Sequence, residues 1–348
     1  MTNRVMAIDV GTGTQDIIIY EPGIPLENCV KMVLPSPTVL VANKIKQITQ
    51  KGRPLGLEGV TMGGGPCSKA VRQHLAAGLP VYATEKAALT IGDNLAEVEE
   101  SGVQIVAELP PDVERVWMGD VDLQALQAGL APFGITLPQQ FAVAVQDHGF
   151  APNESNRDFR FKLWRDFLSR GGWLKDLVYR EVPAVYTRMR SVQEIVPGAV
   201  LMDTGGAAVW GALCDPVVRA KQAEGFTLLN IGNGHTIAFL VRGEQIWGLF
   251  EHHTRSLTPE KLVALLTKLQ SGKLTHEEVY DDGGHGASVQ PEFAQLPPGC
   301  FNQVVVTGPN RGLAKGMGYY FAVPGGDMML SGSFGLLAGG GFLPLPEI

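Results

Sequence analysis

The sequence predicts an α/β protein built from two similar lobes. Three observations carry this. Short apolar strands alternate with helical patterns along most of the chain. The segment VMAIDVGTGTQDIIIYE at 5–21 reads as a strand, a Gly/Thr turn and a second strand, and LLNIGNGHTIAFL at 228–240 repeats it, with Asn230, Gly232 and Gly234 at the spacing of Asp9, Gly11 and Gly13. A strand–glycine–helix–proline order also occurs twice, as Met62-Gly63 to Pro80 and Thr307-Gly308 to Pro324. Recurrence of both loop chemistry and element order implies internal duplication.

In the first half, Val5–Ile8 and Ile17–Tyr20 are expected strands, followed by a strand at Cys29–Leu34 and a helix at Leu40–Gln50. Gly59–Met62 reads as a strand ending in Gly63–Gly65. Ser68–Ala77 is a helix stopped by Gly78, Val81–Ala83 a strand, and Glu85–Ile91 the start of a helix. The second half repeats the plan. Thr227–Asn230 and Thr236–Val241 pair, and Gln245–Phe250 adds a third strand. Thr258 caps a helix that has Pro259 at its first position. Val304–Thr307 is a strand ending at Gly308, and Gly312–Ala322 and Met328–Leu337 read as helices. Residues 96–195 have no counterpart in this scheme. The expected division is therefore a first lobe at 1–95, an inserted substrate or partner region at 96–195, and a second lobe at 196–348.

Composition narrows the function classes. A hydrophobic content of 45% with 18% charged residues describes an ordinary globular chain. Glycine makes up 43 of the 348 residues, well above the roughly 7% usual, and it clusters where strands meet loops. A net charge of −7 without a basic tract argues against nucleic-acid binding, which requires phosphate neutralisation. Cys29, Cys67, Cys214 and Cys300 are far apart and show no CxxC or related metal spacing. With neither a signal-peptide pattern nor an 18-residue apolar run, a cytoplasmic protein with no membrane partner is expected.

The glycine turns point to a phosphate-binding function. Gly11 and Gly13 let backbone close around a ligand, while Thr12, Thr14 and the turn amides offer donors. Asp9, a carboxylate at the end of an apolar strand, suits the water shell of a metal ion. Gln146, Asp147 and His148 follow the strand Phe141–Val145 and precede a glycine, a plausible substrate site at a strand end. Arg157 and Arg160 nearby are candidates for bidentate contact with an anionic substrate. Glu251, His252 and His253 form a polar knot with no further metal ligand at matched spacing. His285, in DDGGHG, reads as an exposed loop residue.

These motifs resemble those of the superfamily that joins actin, heat-shock chaperone ATPases and sugar kinases (ASKHA). AIDVGTGTQDI is similar to its first phosphate loop, LLNIGNGHTIAF to its second, VVVTGPNRG at 304–312 to its adenosine loop, and MDTGGAAVWGAL at 202–213 to its first connecting helix. The resemblance covers most of the chain outside 96–195. It implies duplicated ribonuclease H-like (actin-like ATPase) lobes with a nucleotide cleft between them, and ATP and Mg²⁺ as cofactors. On this reading Gly11, Thr12, Gly13 and Thr14 grip phosphates from one side, and Asn230, Gly232, Asn233, Gly234 and His235 from the other. Asp9 holds the hydrated Mg²⁺, and Gly308 and Pro309 lie against adenosine. Asp203, placed like the proton-accepting carboxylate of glucokinase-like enzymes, is the expected catalytic base. Its other reading is a helix N-cap, and Glu85 is the alternative cleft acid. Asn230 departs from chaperone and actin relatives, which carry Asp there.

QDHGFAPNESNRDFRF and DTGGAAVWGAL also resemble a prokaryotic family labelled pyruvate formate-lyase-activating. That label implies radical-SAM chemistry, for which the chain lacks a cysteine triad at cluster spacing. The expected function is an ATP-dependent phosphotransferase acting on a small metabolite. The alternatives are an ATP-driven activator or reactivase of a partner enzyme and a non-hydrolysing nucleotide sensor.

Overall fold

A computed structural model describes residues 3–347. The chain opens with β1 (Val5–Val10), β2 (Thr14–Tyr20) and β3 (Val30–Pro35), an antiparallel meander followed by a helix at Pro37–Gln50. Apolar residues of β1 and β2 are buried on both faces, as a central strand pair requires. The chain then leaves this sheet. β4 (Leu55–Gly59), β5 (Val81–Ala83), β6 (Val103–Ile105) and β7 (Glu114–Met118) form a separate parallel sheet in the order β6-β5-β4-β7. It has its own core of Val41, Ile45, Leu55, Leu57, Val81 and Val116 among others.

The first sheet resumes with β8 (Gln140–Val145), parallel to β1, then β9 (Val178–Tyr179) and β10 (Val200–Met202), in the order β3-β2-β1-β8-β10-β9. The second lobe has β11 (Phe226–Ile231), β12 (His235–Arg242), β13 (Gln245–His253), β14 (Gly286–Val289), β15 (Val304–Thr307) and β16 (Tyr320–Phe321), in the order β14-β13-β12-β11-β15-β16. Each lobe therefore has three antiparallel strands with the first strand flanked by a parallel crossover strand, the duplicated ribonuclease H-like arrangement of the actin-like ATPase fold. Among the described residues no helix is long and apolar enough to cross a membrane.

The duplication is shown in hydrogen bonds. Gly11 N–H donates to Thr14 O at 2.9 Å, and Gly232 N–H to His235 O at 2.9 Å. Ser36 N–H donates to Gly13 O and its hydroxyl to Gly11 O. Thr254 does the same to Gly234 O and Gly232 O. Two turns built to one plan are each fastened by a hydroxyl residue just past the third strand of the lobe.

The domain division needs revision. No sheet boundary falls at 95/96, and β8 and β10, within or beyond the expected insert, belong to the sheet of β1, whereas β4 and β5 do not. Thr307-Gly308 corresponds in position to the end of β8 rather than to Met62-Gly63, because β15 flanks β11 as β8 flanks β1. The strand expected at Gly59–Met62 lies at Leu55–Gly59 and ends where Gly59 takes φ +116°. The helix expected at Gly312–Ala322 is a short 3-10 turn followed by β16, since Gly316 and Gly318 adopt left-handed φ. Thr258 caps its helix as expected, accepting from Lys261 N–H.

Helices Thr204–Ala212 and Ser331–Gly339 cross between the lobes on glycine. A Cβ at Gly211 would sit 1.9 Å from Ser331 O, and one at Gly335 would sit 1.9 Å from Ala207 O. Neither backbone can yield alone, so Gly335→Ala should cost about 1–3 kcal/mol in urea unfolding. An unchanged midpoint would refute this close crossing.

Candidate active site

The two glycine turns meet across a cavity of about 600 Å³. A Cβ at Gly13 would fall 2.5 Å from Asn233 Nδ2, and one at Gly234 would fall 2.9 Å from Thr12 Oγ1. Asp9, Gly11, Thr12, Thr14, Asn230, Gly232, Asn233, Gly234, His235, Gly308 and Pro309 all border the cavity, so the structure brings the expected phosphate and adenosine residues to one place. Gly13 packs against the opposite turn instead of lining the cavity. Asn230 Oδ1 accepts from Thr307 Oγ1, tying the second turn's side chain to β15.

The acidic centre is larger than the sequence indicates. Asp9 lies directly opposite Asp16 in the β1–β2 register, and both border the cavity. One carboxylate oxygen of each, Oδ1, is buried without a hydrogen-bond partner. Burial, then the nearby charges of Asp16 and Asp203, push Asp9 well above the usual carboxylate range. Burial, opposed by the Thr14 hydroxyl, pushes Asp16 up to about 7. Like charges opposite each other on a sheet repel, and an oxygen-seeking cation between them removes the conflict. The residues present therefore fit Mg²⁺. Gly332 shapes the same corner, where a Cβ would meet Asp9 Oδ2 at 1.8 Å.

Asp16 sets a pH signature. Its folded pKa exceeds the unfolded value of roughly 3.9, so the folded state holds an extra proton and loses stability as pH rises from about 4 to about 7. Asp16→Asn removes that loss. The ligand-free melting temperature should rise by several degrees near pH 8, and the gain should fade toward pH 4. A gain independent of pH would contradict the burial of this carboxylate.

Asp203 is not placed as a free base. It is 7% exposed and does not border the cavity. Its Oδ1 accepts from Gly205 N–H at 2.9 Å, as the N-cap of helix Thr204–Ala212, and from Arg160 Nη2 at 3.1 Å. Its Oδ2 accepts from Arg160 Nη1 at 2.8 Å and from Asp147 N–H at 3.2 Å. All its strong acceptor directions are taken, so the N-cap reading holds and the expectation of a proton-accepting Asp203 is corrected. Glu85, the alternative, is exposed in the β4–β7 unit and away from the cavity.

The arginines are likewise committed. Arg160, 3% exposed, donates from Nε to Glu251 Oε2 at 2.7 Å and from Nη1 to Asp147 O at 2.9 Å, besides its two bonds to Asp203. It links the ends of β8 and β10 to β13 and so joins the two lobes under the cleft. Its charge is balanced by two carboxylates, which leaves it a structural anchor, not the anion clamp expected. Arg157 donates to Gly284 O at 2.8 Å and stacks on Tyr280, outside the cavity lining.

Asp147 and His148 do reach the cavity. Asp147 accepts from Gly149 and Met189 N–H groups, yet burial dominates and raises it to about 6. Burial, with Arg160 nearby, holds His148 well below its ordinary value, so its ring is neutral. His285 is not the exposed loop residue expected. It is 1% exposed, because its N–H donates to Glu251 O where β14 joins β13.

Two features escaped the sequence reading. Gly63–Pro66, with Thr38, Thr61 and Thr90, forms a third cavity wall at the start of helix Pro66–Ala76. Arg188 also borders the cavity, paired with Asp120 at 2.7 and 2.8 Å and donating to Gln146 O. The Gly63–Gly65 run was visible but was assigned to the wrong lobe equivalence. Nothing local marks Arg188, whose partner lies 68 residues away.

Residues 62–313 match the family described as "Putative pyruvate format-lyase activating enzyme (DUF1786)". None of the curated proteins matches the chain. Similar solved structures include a Ppx/GppA family member from Aquifex aeolicus (10% identity, TM-score 0.31, 88% of this chain and 67% of that one). A protein of unknown function with an actin-like ATPase fold from Bacteroides thetaiotaomicron is also similar (8%, 0.34, 96% of each). So is MreB5 of Spiroplasma citri bound to ADP (10%, 0.35, 95% of each).

Proposed function

We propose that this chain, which belongs to the DUF1786 family, binds a nucleoside triphosphate with Mg²⁺ in its interlobe cleft and transfers or hydrolyses the terminal phosphoryl group. The observation that carries this is the pair of facing, identically fastened glycine turns above two buried carboxylates with unpartnered oxygens. Turn amides supply fixed donors to phosphate oxygens at little entropic cost. Asp9 and Asp16 would hold Mg²⁺, which supplies charge compensation to the phosphates. Gly308 and Pro309 would border the base and ribose.

The acceptor end of the cleft is the Asp147–His148 corner. With Asp203 committed to Arg160, Asp147 is the candidate proton acceptor, since a carboxylate near 6 matches neutral operation. Asp203 and Arg160 would act as positioning residues that hold the Asp147 backbone.

The chemistry implied by the family's description does not fit the donor set. Cys29, Cys67 and Cys214 are free and buried, and no three cysteines come together among the described residues.

Calorimetric titration with ATP and ADP, with and without Mg²⁺, tests the reading. Mg²⁺-dependent binding of either nucleotide is expected, and absence of both would remove the proposal. Turnover surviving in Asp147→Asn would remove Asp147 as proton acceptor.

A further inference from the structure

We propose that His148, His235 and His285 form a three-imidazole site for a borderline divalent ion of the zinc class, set in the cleft wall beside the second glycine turn. The residues come from three separated segments: the loop after β8, the first position of β12, and the turn into β14. One ring nitrogen from each lies within 4.8 Å of the other two. Ring centroids are 6.1, 5.3 and 4.8 Å apart for the 148–235, 148–285 and 235–285 pairs. Ligands of a tetrahedral zinc ion with bonds of about 2.0 Å stand about 3.3 Å apart, a closure that small ring rotations supply.

Chemistry agrees with geometry. Neutral imidazole is the form that ligates, and the cluster is sheltered, with His285 buried and His148 and His235 half-buried. Three neutral rings turned on one another gain little from contact, and His285 Nδ1 is buried with no hydrogen-bond partner. Glu251 Oε1 stands 3.6 Å from His285 Nδ1, and Glu251 is itself fixed by Arg160 and Gln146. This is the carboxylate that commonly orients a ligating imidazole from behind.

The donor set separates this site from the acidic pair. Imidazole favours zinc, iron, nickel or copper, whereas Mg²⁺ takes oxygen ligands. His148 and His235 border the cavity, so a fourth position opens toward the cleft for water or a substrate oxygen. Three protein nitrogens with an open position is the pattern of reactive zinc sites, not closed structural ones. The ring of His253 lies further round the same wall, 4.8 Å from His235 and 5.1 Å from His285.

The inference rests on the histidine cluster itself and does not need a nucleotide. The protein is stripped with chelator, refilled with Zn²⁺ or Co²⁺, desalted, and assayed by elemental analysis and by the visible absorption of four-coordinate Co²⁺. About one ion per chain is expected, falling below roughly a tenth in His148→Ala and His235→Ala. Both substitutions border the cavity and should retain the wild-type circular dichroism. His285→Asn, at a buried position, serves as a third variant if it folds. Asp9→Asn should keep the full Zn²⁺ content even while losing Mg²⁺ dependence, so failure here is distinguishable from failure of the nucleotide reading. Refilled wild type without metal, full content in both cavity variants, or Zn²⁺ lost with Asp9→Asn would each overturn the proposal.

Discussion

Asp9→Asn is expected to lower Mg²⁺ affinity at least about 100-fold, since even residues that only support metal ligands commonly cost 10–100-fold. Nucleotide turnover should fall with it. The same substitution should raise the melting temperature of the ligand-free protein at neutral pH. Asp9 faces Asp16 across the β1–β2 pair, both are buried, and each keeps an unpartnered oxygen. Removing one carboxylate relieves a conflict that a bound proton or cation otherwise offsets. Opposite signs for stability and activity are the mark of a site kept strained for function. Calorimetry with Mg²⁺-nucleotide and thermal melts with and without metal read both quantities. Lost activity together with lost ligand-free stability would instead make Asp9 a structural residue.

Arg160→Met should be the most destabilising single change in the cleft, by about 3–5 kcal/mol in urea unfolding, because it strands buried carboxylates. Asp203 and Glu251 both depend on this guanidinium. Burial disfavours the Glu251 carboxylate, yet Arg160 beside it prevails and holds it well below the usual range. A carboxyl depressed on folding contributes stability above its unfolded pKa of roughly 4.3 and loses it as pH falls toward the folded value. The deficit of Arg160→Met should therefore be full at neutral pH and shrink in acid. Adding Asp203→Asn and Glu251→Gln to Arg160→Met should recover part of the loss. No recovery would mean that the packing of Arg160 over Trp164, 5.5 Å away, matters more than its charge.

Local patterns made much of the fold legible. The two strand–glycine turn–strand units were readable because short continuous apolar runs interrupted by glycine at fixed spacing admit few other backbones. The structure gives them matching hydrogen bonds, down to Ser36 and Thr254, which the sequence reading had not singled out. Thr258 was readable as a cap because capping is a contact within one turn. The strand order was not readable. β4 and β8 are both short strands, and only pairing decides that β8 joins β1 while β4 founds a separate sheet. The lobe boundaries failed for that reason.

Site roles divided along the same line. Asp9, Gly11 and Gly232 stood out because their pattern is local to a turn, and all three border the cavity. Asp203, Arg157 and Arg160 were misread because a side chain's availability depends on what it meets. Arg160 meets Asp203 at a separation of 43 residues and Glu251 at 91. His148, His235 and His285 are scattered singly in the chain, and no spacing rule joins them. What the sequence determined by itself was the duplicated turn chemistry, since a glycine turn needs only its neighbours. What only the tertiary structure decided was which charges are free and which histidines converge, because pairing and burial are set by segments that meet only when the chain has folded.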